Sequence, residues 1–92
     1  MKFGVGLPNY SKGASVQGVR EIAAAAEELG YDSVWTTDHV LTPKQHADGF
    51  GYVIESLISL AYVAGITKRV KLGTSIIVLA QRNAILVAKQ IA

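Results

Sequence analysis

The stretch Gly30-Tyr31-Asp32-Ser33-Val34-Trp35-Thr36-Thr37-Asp38-His39 decides how this chain folds. Gly30 tolerates the left-handed backbone that stops a helix, and the residues after it change from helical spacing to an aromatic and β-branched run. Residues 32–36 are therefore predicted as a strand. That strand leads directly into an acid and an imidazole, Asp38 and His39. A general acid or base at a strand end is held by rigid backbone yet stays open to a substrate, so the pair is the candidate catalytic centre. The plain structural alternative is a turn in which Asp38 caps backbone amides.

Upstream, residues 16–29 place Val19, Ile22, Ala23, Ala26 and Leu29 at three- and four-residue steps, one apolar stripe of a helix capped by Ser15. Residues 2–7 form a short strand in which Phe3, Val5 and Leu7 alternate with Gly4 and Gly6, and Pro8 stops it. The two glycines leave space on one face, either for packing inside a barrel or for close approach of a planar ligand. They do not make a dinucleotide fingerprint, because Gly4-x-Gly6-x-x-Asn9 lacks the third glycine and Pro8 interrupts the strand-to-helix turn.

Downstream, residues 40–52 read as a loop with Pro43, Gly49 and Gly51, of a length that usually carries function. Residues 53–66 read as a helix with Ile54, Leu57, Ile58, Ala61, Ala64 and Gly65 on its buried side. Residues 70–78 read as an apolar strand of the kind parallel sheets cover on both faces, and residues 84–92 as a helix opened by Asn83. The fold class is α/β: residues 1–92 form one module of three tandem βα units on a parallel sheet. Three units do not close an eight-stranded barrel, which takes about 250 residues, so the chain is expected to be the opening third of a larger protein or an excised module.

Half of the 92 residues are hydrophobic and 17% are charged, a globular composition. A chain this short buries only about 60% of its unfolded surface, so a small core is expected. The net charge of +2 is spread along the chain, with Lys68-Arg69-x-Lys71 as its one cluster at a predicted turn, and no nucleic-acid partner is expected. The absence of cysteine removes disulfides, thiolate nucleophiles and cysteine metal ligands. No apolar run approaches the roughly 18 residues that span a bilayer, and the N-terminus lacks the apolar core of a signal peptide, so a cytoplasmic protein without a membrane partner is expected. Asp38, His39, His46 and Asp48 are residue types that suit a divalent ion, but no His-x-His pair accompanies them. Metal-dependent hydrolysis is thus the poorest reading, and no metal site is expected.

Four blocks stand in order along the chain: Lys2-Phe3-Gly4-Val5-Gly6-Leu7-Pro8-Asn9; Ala26-Glu27-Glu28-Leu29-Gly30 continuing through Asp38-His39-Val40; Leu72-Gly73-Thr74-Ser75-Ile76-Ile77-Val78-Leu79; and Arg82-Asn83 with Ala88-Lys89-Gln90. Together they resemble the N-terminal part of the bacterial luciferase-like monooxygenases, most closely the branch that uses the deazaflavin coenzyme F-420. The resemblance implies a (β/α)8 TIM barrel, of which these would be the first three βα units. Coenzyme F-420, or alternatively FMN, would lie across its C-terminal mouth and exchange hydride with a small organic substrate. It places His39 at the reactive face of the ring, as a catalytic and cofactor-binding residue, with Asp38 orienting it. It also places Thr74, Ser75 and Ile76 behind the ring, with a non-prolyl cis peptide at Ser75-Ile76; by residue type alone Thr74 and Ser75 are equally ordinary strand residues.

The chain departs from the family at several points. Ala84 stands where a proline commonly follows Asn83, the loop at 43–52 is shorter than in many relatives, and the family's downstream acidic residue, later strands and phosphate-binding loops have no counterpart in the 92 residues. The expectation is therefore a portion of an oxidoreductase that is inactive alone, with the cofactor held by the full family barrel and none by this chain as the alternative. The alternative is a non-catalytic partial barrel that self-associates. Open edges on its first and third strands would demand a partner, either another copy or the rest of the barrel.

Overall fold

β1 (Gly4–Gly6), β2 (Ser33–Thr36) and β3 (Lys71–Thr74) form one parallel sheet in the order β1-β2-β3 in the computed structural model, which describes residues 1–92. The register sets Gly6 beside Trp35, Trp35 beside Gly73 and Thr36 beside Thr74. α1 (Val16–Glu28) connects β1 to β2, and α3 (Ser56–Ile66) connects β2 to β3, after a 3-10 turn at Lys44–His46 and the single-turn α2 (Ala47–Phe50). A second 3-10 turn, Leu79–Gln81, precedes α4 (Ala84–Ile91). This is the α/β architecture expected of the opening of a luciferase-like barrel. No helix is long and apolar enough to cross a membrane.

The core lies on one face of the sheet, where Leu7, Val34 and Val70 meet Val19, Ala23 and Ala26 of α1 and Val63 of α3. Local signals set α1 as its spacing suggests. Ser15 Oγ accepts from the Gly18 amide at 2.9 Å, and Gly30 takes φ +83° after the last turn. Ile22 and Leu29 of the expected stripe stay exposed, at 40% and 76%, because the sheet is too narrow to cover the whole face.

α3 buries a different side from the one its apolar spacing suggests: Ser56, Ser59, Leu60 and Val63. The helix is apolar all round, so it has no polar face to set its phase. The two serines fit the interior because both hydroxyls are paired. Ser56 shares a 2.7 Å bond with Thr36, and Ser59 donates to the Glu55 carbonyl at 2.7 Å. Leu57, Ala61 and Ala64 line a groove of about 410 Å³ against Leu72 and Gly73.

β3 is shorter than the expected 70–78. The Ser75 amide still donates to the Thr36 carbonyl at 2.9 Å, after which the backbone leaves the sheet through a cis Ser75–Ile76 peptide. β1 is likewise confined to Gly4–Gly6, and the helix expected at 53–66 starts only at Ser56 because Val53 and Ile54 are used to join the end of β1. Tyr10 and Val53 form an antiparallel bridge, and Ile54 N–H donates to the Asn9 carbonyl at 2.7 Å.

The opposite sheet face carries Gly4, Gly6, Ser33, Trp35 and Gly73. Part of the space left by the glycines is filled from within: a Cβ on Gly4 or on Gly73 would come within 2.5 Å of the Trp35 indole. The indole N–H donates to Ser33 Oγ at 2.9 Å, and the side chain remains 41% exposed. Gly6 differs, since a Cβ there would meet nothing within 4 Å. The chain exposes 6407 Å², against about 5,200 Å² for a folded monomer of this mass. The excess of roughly 1,200 Å² over that scaling reflects the uncovered sheet face, a shallow core and two sheet edges that each pair on one side only.

Candidate functional site

Asn9 draws the strand ends together. It follows the Pro8 stop of the first strand and is fully buried. Its Nδ2 donates to the carbonyls of Thr37 at 2.7 Å and Ile54 at 3.0 Å, and its Oδ1 accepts from the Thr37 amide at 2.9 Å. One side chain thus satisfies backbone groups of two other segments, those after β2 and before α3. The sequence reading gave Asn9 no part beyond closing the first block of the resemblance; the signal available was a small amide placed directly after a strand-ending proline.

Asp38 is also buried. Its Oδ2 accepts from the Val78 amide and from Arg82 Nε, both at 2.9 Å, and its Oδ1 pairs with the same guanidinium. Arg82 also pairs with Glu55, whose carboxylate accepts from the Ile58 amide at 2.6 Å and so caps α3. Burial alone would raise the Asp38 pKa, but the Arg82 hydrogen bond, the Val78 N–H and the Arg82 charge outweigh it and hold the carboxyl below its ordinary value. The Asp38 hydrogen bond raises the Arg82 pKa further above its usual range, against burial and with help from Glu55. The resemblance assigns Asp38 the part of orienting His39. The structure gives its carboxylate to Arg82 and Val78 instead, and no hydrogen bond joins it to the imidazole. Arg82 and Glu55 are the members of this network that the sequence reading did not assign.

The His39 imidazole is half-buried and meets the Phe50 ring at 5.2 Å and 57°; Phe50 in turn stacks on Tyr10 at 5.8 Å. Neither imidazole nitrogen is used in a protein hydrogen bond, which leaves both available to a ligand.

Between the strand ends runs an open groove of about 420 Å³, lined by Gly6, Tyr10, Trp35, Thr36, Thr37 and Ser75 among others. Ser75 therefore reaches the groove. Ile76, beyond the cis peptide, is 75% exposed. Thr74 faces the other way and lines the groove between β3 and α3. His46 ends the 3-10 turn and Asp48 lies in α2, and no group of three or more His, Asp and Glu side chains converges in a way that could hold a metal ion.

Residues 1–92 match the luciferase-like monooxygenase family. The chain is 46% identical over 57 residues to the F-420-dependent glucose-6-phosphate dehydrogenase of Kineococcus radiotolerans, covering 62% of this chain and 16% of that protein. It is 49% identical over 57 residues to the protein of the same description from Nakamurella multipartita, with the same 62% and 16% coverage. Against the alkanal monooxygenase alpha chain of Photorhabdus luminescens the identity is 32% over 84 residues, covering 86% of this chain and 22% of that protein. The chain thus spans less than a quarter of the length of these curated relatives.

Proposed function

This chain belongs to the luciferase-like monooxygenase family, and on that premise we propose that its strand ends form one wall of a site where coenzyme F-420, or FMN, exchanges hydride with a small organic substrate. The observation that carries the reading is the open groove beside Gly6 and Ser75, at the C-terminal ends of parallel strands. Its residues suit a planar ring. Gly6 offers backbone with free space above it, Tyr10 and Trp35 supply aromatic surface, and Thr37 and Ser75 supply polar groups for ring edges. The higher identity to relatives described as F-420-dependent favours F-420 over FMN.

The bound cofactor would supply the hydride acceptor or donor. The chain's own residues would orient it and handle the proton. Ser75 and Ile76 back the ring, with Thr74 contributing through the backbone that carries them. His39 is the catalytic residue: its uncommitted nitrogens hold or release a proton at the substrate. Asp38 acts as a positioning residue, through the backbone it shares with His39, and its fixed negative charge lies next to the imidazole in sequence. A cysteine-free chain without a spanning helix fits a cytoplasmic setting.

The test is a titration of F-420 and of FMN into the purified chain, read by Trp35, its single tryptophan, which lines the groove. Saturable quenching, tighter for F-420 and weakened by Gly6→Val, supports the reading. No saturable response up to millimolar cofactor, or a response that Gly6→Val leaves unchanged, overturns it for this chain.

A second reading is a non-catalytic assembly module, favoured by the uncovered sheet face and the two open edges. A second copy or the remaining strands of a barrel would then pair with β1 and β3. Sedimentation at micromolar concentration tests self-association, and a strictly monomeric species counts against a second copy as the partner.

A further inference from the structure

We infer that Gln81 and Arg82, adjacent residues at the end of the loop from Ser75 to α4, are positioning residues that clasp the residues on both sides of His39, Asp38 through its carboxylate and Val40–Leu41 through their backbone. On one side, Arg82 Nε and the Val78 amide both bind Asp38 Oδ2 at 2.9 Å. On the other, Gln81 Oε1 accepts from the Val40 amide at 2.9 Å and from the Leu41 amide at 3.2 Å, and Gln81 Nε2 donates to the Leu41 carbonyl at 2.8 Å. The residues before and after His39 are therefore held, while its imidazole makes no protein hydrogen bond and meets the Phe50 ring.

The Gln81 pattern matters because a primary amide carries donors and an acceptor on one planar group, the complement of a peptide unit. It pairs with the Val40–Leu41 backbone much as a neighbouring strand would. Val40 and Leu41 are both exposed, and no other protein group accepts from their amides. Without Gln81 those amides turn to water, and the turn after His39 gains freedom. The clasp also joins two loops. Because residues 75–82 form one continuous loop, the segment that carries Ser75 and Ile76 is tied to the segment that carries His39, so the spacing between ring wall and imidazole is set by one device. Arg82 sits in a buried ion network, whereas Gln81 is exposed, so Gln81 is the one that tests positioning apart from folding.

The inference rests on the preceding reading in taking His39 as the reacting side chain, but its test needs no cofactor. The chain has two histidines, so His46→Gln leaves a single imidazole to follow by NMR. In that background Gln81→Ala is expected to speed amide exchange at Val40 and Leu41 at least tenfold and to shift and broaden the His39 imidazole signals. Amides of Val19, Ala23 and Val34 in the core should keep their protection. Gln81→Glu keeps an acceptor for the two amides but sets a carboxylate oxygen against the Leu41 carbonyl, so it should restore only part of the Val40 and Leu41 protection. Unchanged His39 signals in Gln81→Ala, or equal loss of protection across the core, would each overturn the inference. If Gln81→Ala does not fold, Gln81→Asn, one methylene shorter, is read by the same signals and the same criteria. A failed cofactor titration with the NMR outcome intact would remove the catalytic role of His39 and leave the clasp standing.

Discussion

Asp38 is bound by Arg82, forty-four residues away in sequence, and not by the histidine next to it. The acid of the Asp38-His39 pair is thus a structural anion that holds the β3–α4 loop against the end of β2. Removing the cation would leave a buried carboxylate without its partner. Arg82→Met is expected to destabilise the chain by about 3 to 5 kcal/mol, the range for breaking a buried ion pair from one side. Arg82→Lys should recover part of this, because a lysine supplies charge but not the paired geometry. Urea denaturation followed by Trp35 fluorescence measures both, and wild-type stability in Arg82→Met would show that the pair is solvated rather than buried.

The same pairing gives an acid-side pH dependence. The Asp38 pKa is lowered in the folded chain, so its contribution is fully present above the unfolded aspartate value, about 3.9, and is lost as pH falls through the lower folded value. Glu27 has the same sign: its carboxylate accepts from the amides of Lys68, Arg69 and Val70, and the Arg69 contact is the largest cause of its lowering. Stability should therefore be flat from neutral pH down to about 5 and fall below about 4. Glu27→Gln should flatten that acid limb, as should Asp38→Asn at a lower starting stability. Denaturant midpoints between pH 2 and 7 read the effect, and an acid limb identical in all three proteins would contradict it.

Signals that act over a few residues were legible in the sequence. Ser15 and Asn83 cap their helices through side-chain oxygens, Gly30 supplies the left-handed stop, and Asp38-His39 follows β2 as its strand pattern implied. What the sequence left open depends on juxtaposition across the fold. The phase of α3 was invisible because an all-apolar helix has no polar face, and only the Thr36–Ser56 contact reveals which side is buried. The end of β3 was invisible because Ile76, Ile77 and Val78 are good strand residues, and the sheet ends where the Thr36 carbonyl takes its last partner, the Ser75 amide. The part of Arg82 was invisible because its partners lie 44 and 27 residues away.

Asn9 offers a third prediction, because its amide joins three segments at once. Asn9→Ala strands the Thr37 amide and the Thr37 and Ile54 carbonyls in a part-buried setting, so a loss of about 2 to 3 kcal/mol is expected. Asn9→Asp should be at least as damaging, because it sets a carboxylate oxygen against two carbonyls. A denaturation midpoint for Asn9→Ala equal to wild type would mean that water replaces all three bonds.

The two kinds of glycine on the exposed sheet face separate packing from binding. At Gly73 a Cβ would lie 2.5 Å from Trp35 Cζ3 and 2.6 Å from Cε3, within the ring itself, so Gly73→Ala must displace the indole. Overpacking of that kind costs about 1 to 3 kcal/mol and should shift the Trp35 emission. At Gly6 a Cβ meets nothing within 4 Å, so Gly6→Ala should leave stability within about 0.5 kcal/mol. If the groove beside Gly6 receives a planar ring against bare backbone, the added methyl sits where the ring would lie. Gly6→Ala should then weaken F-420 or FMN binding severalfold with an unchanged denaturation midpoint, whereas Gly73→Ala should move the midpoint first. Equal effects of the two substitutions on stability and on cofactor titration would mean that both glycines serve packing alone, and that the space above Gly6 is not a binding surface.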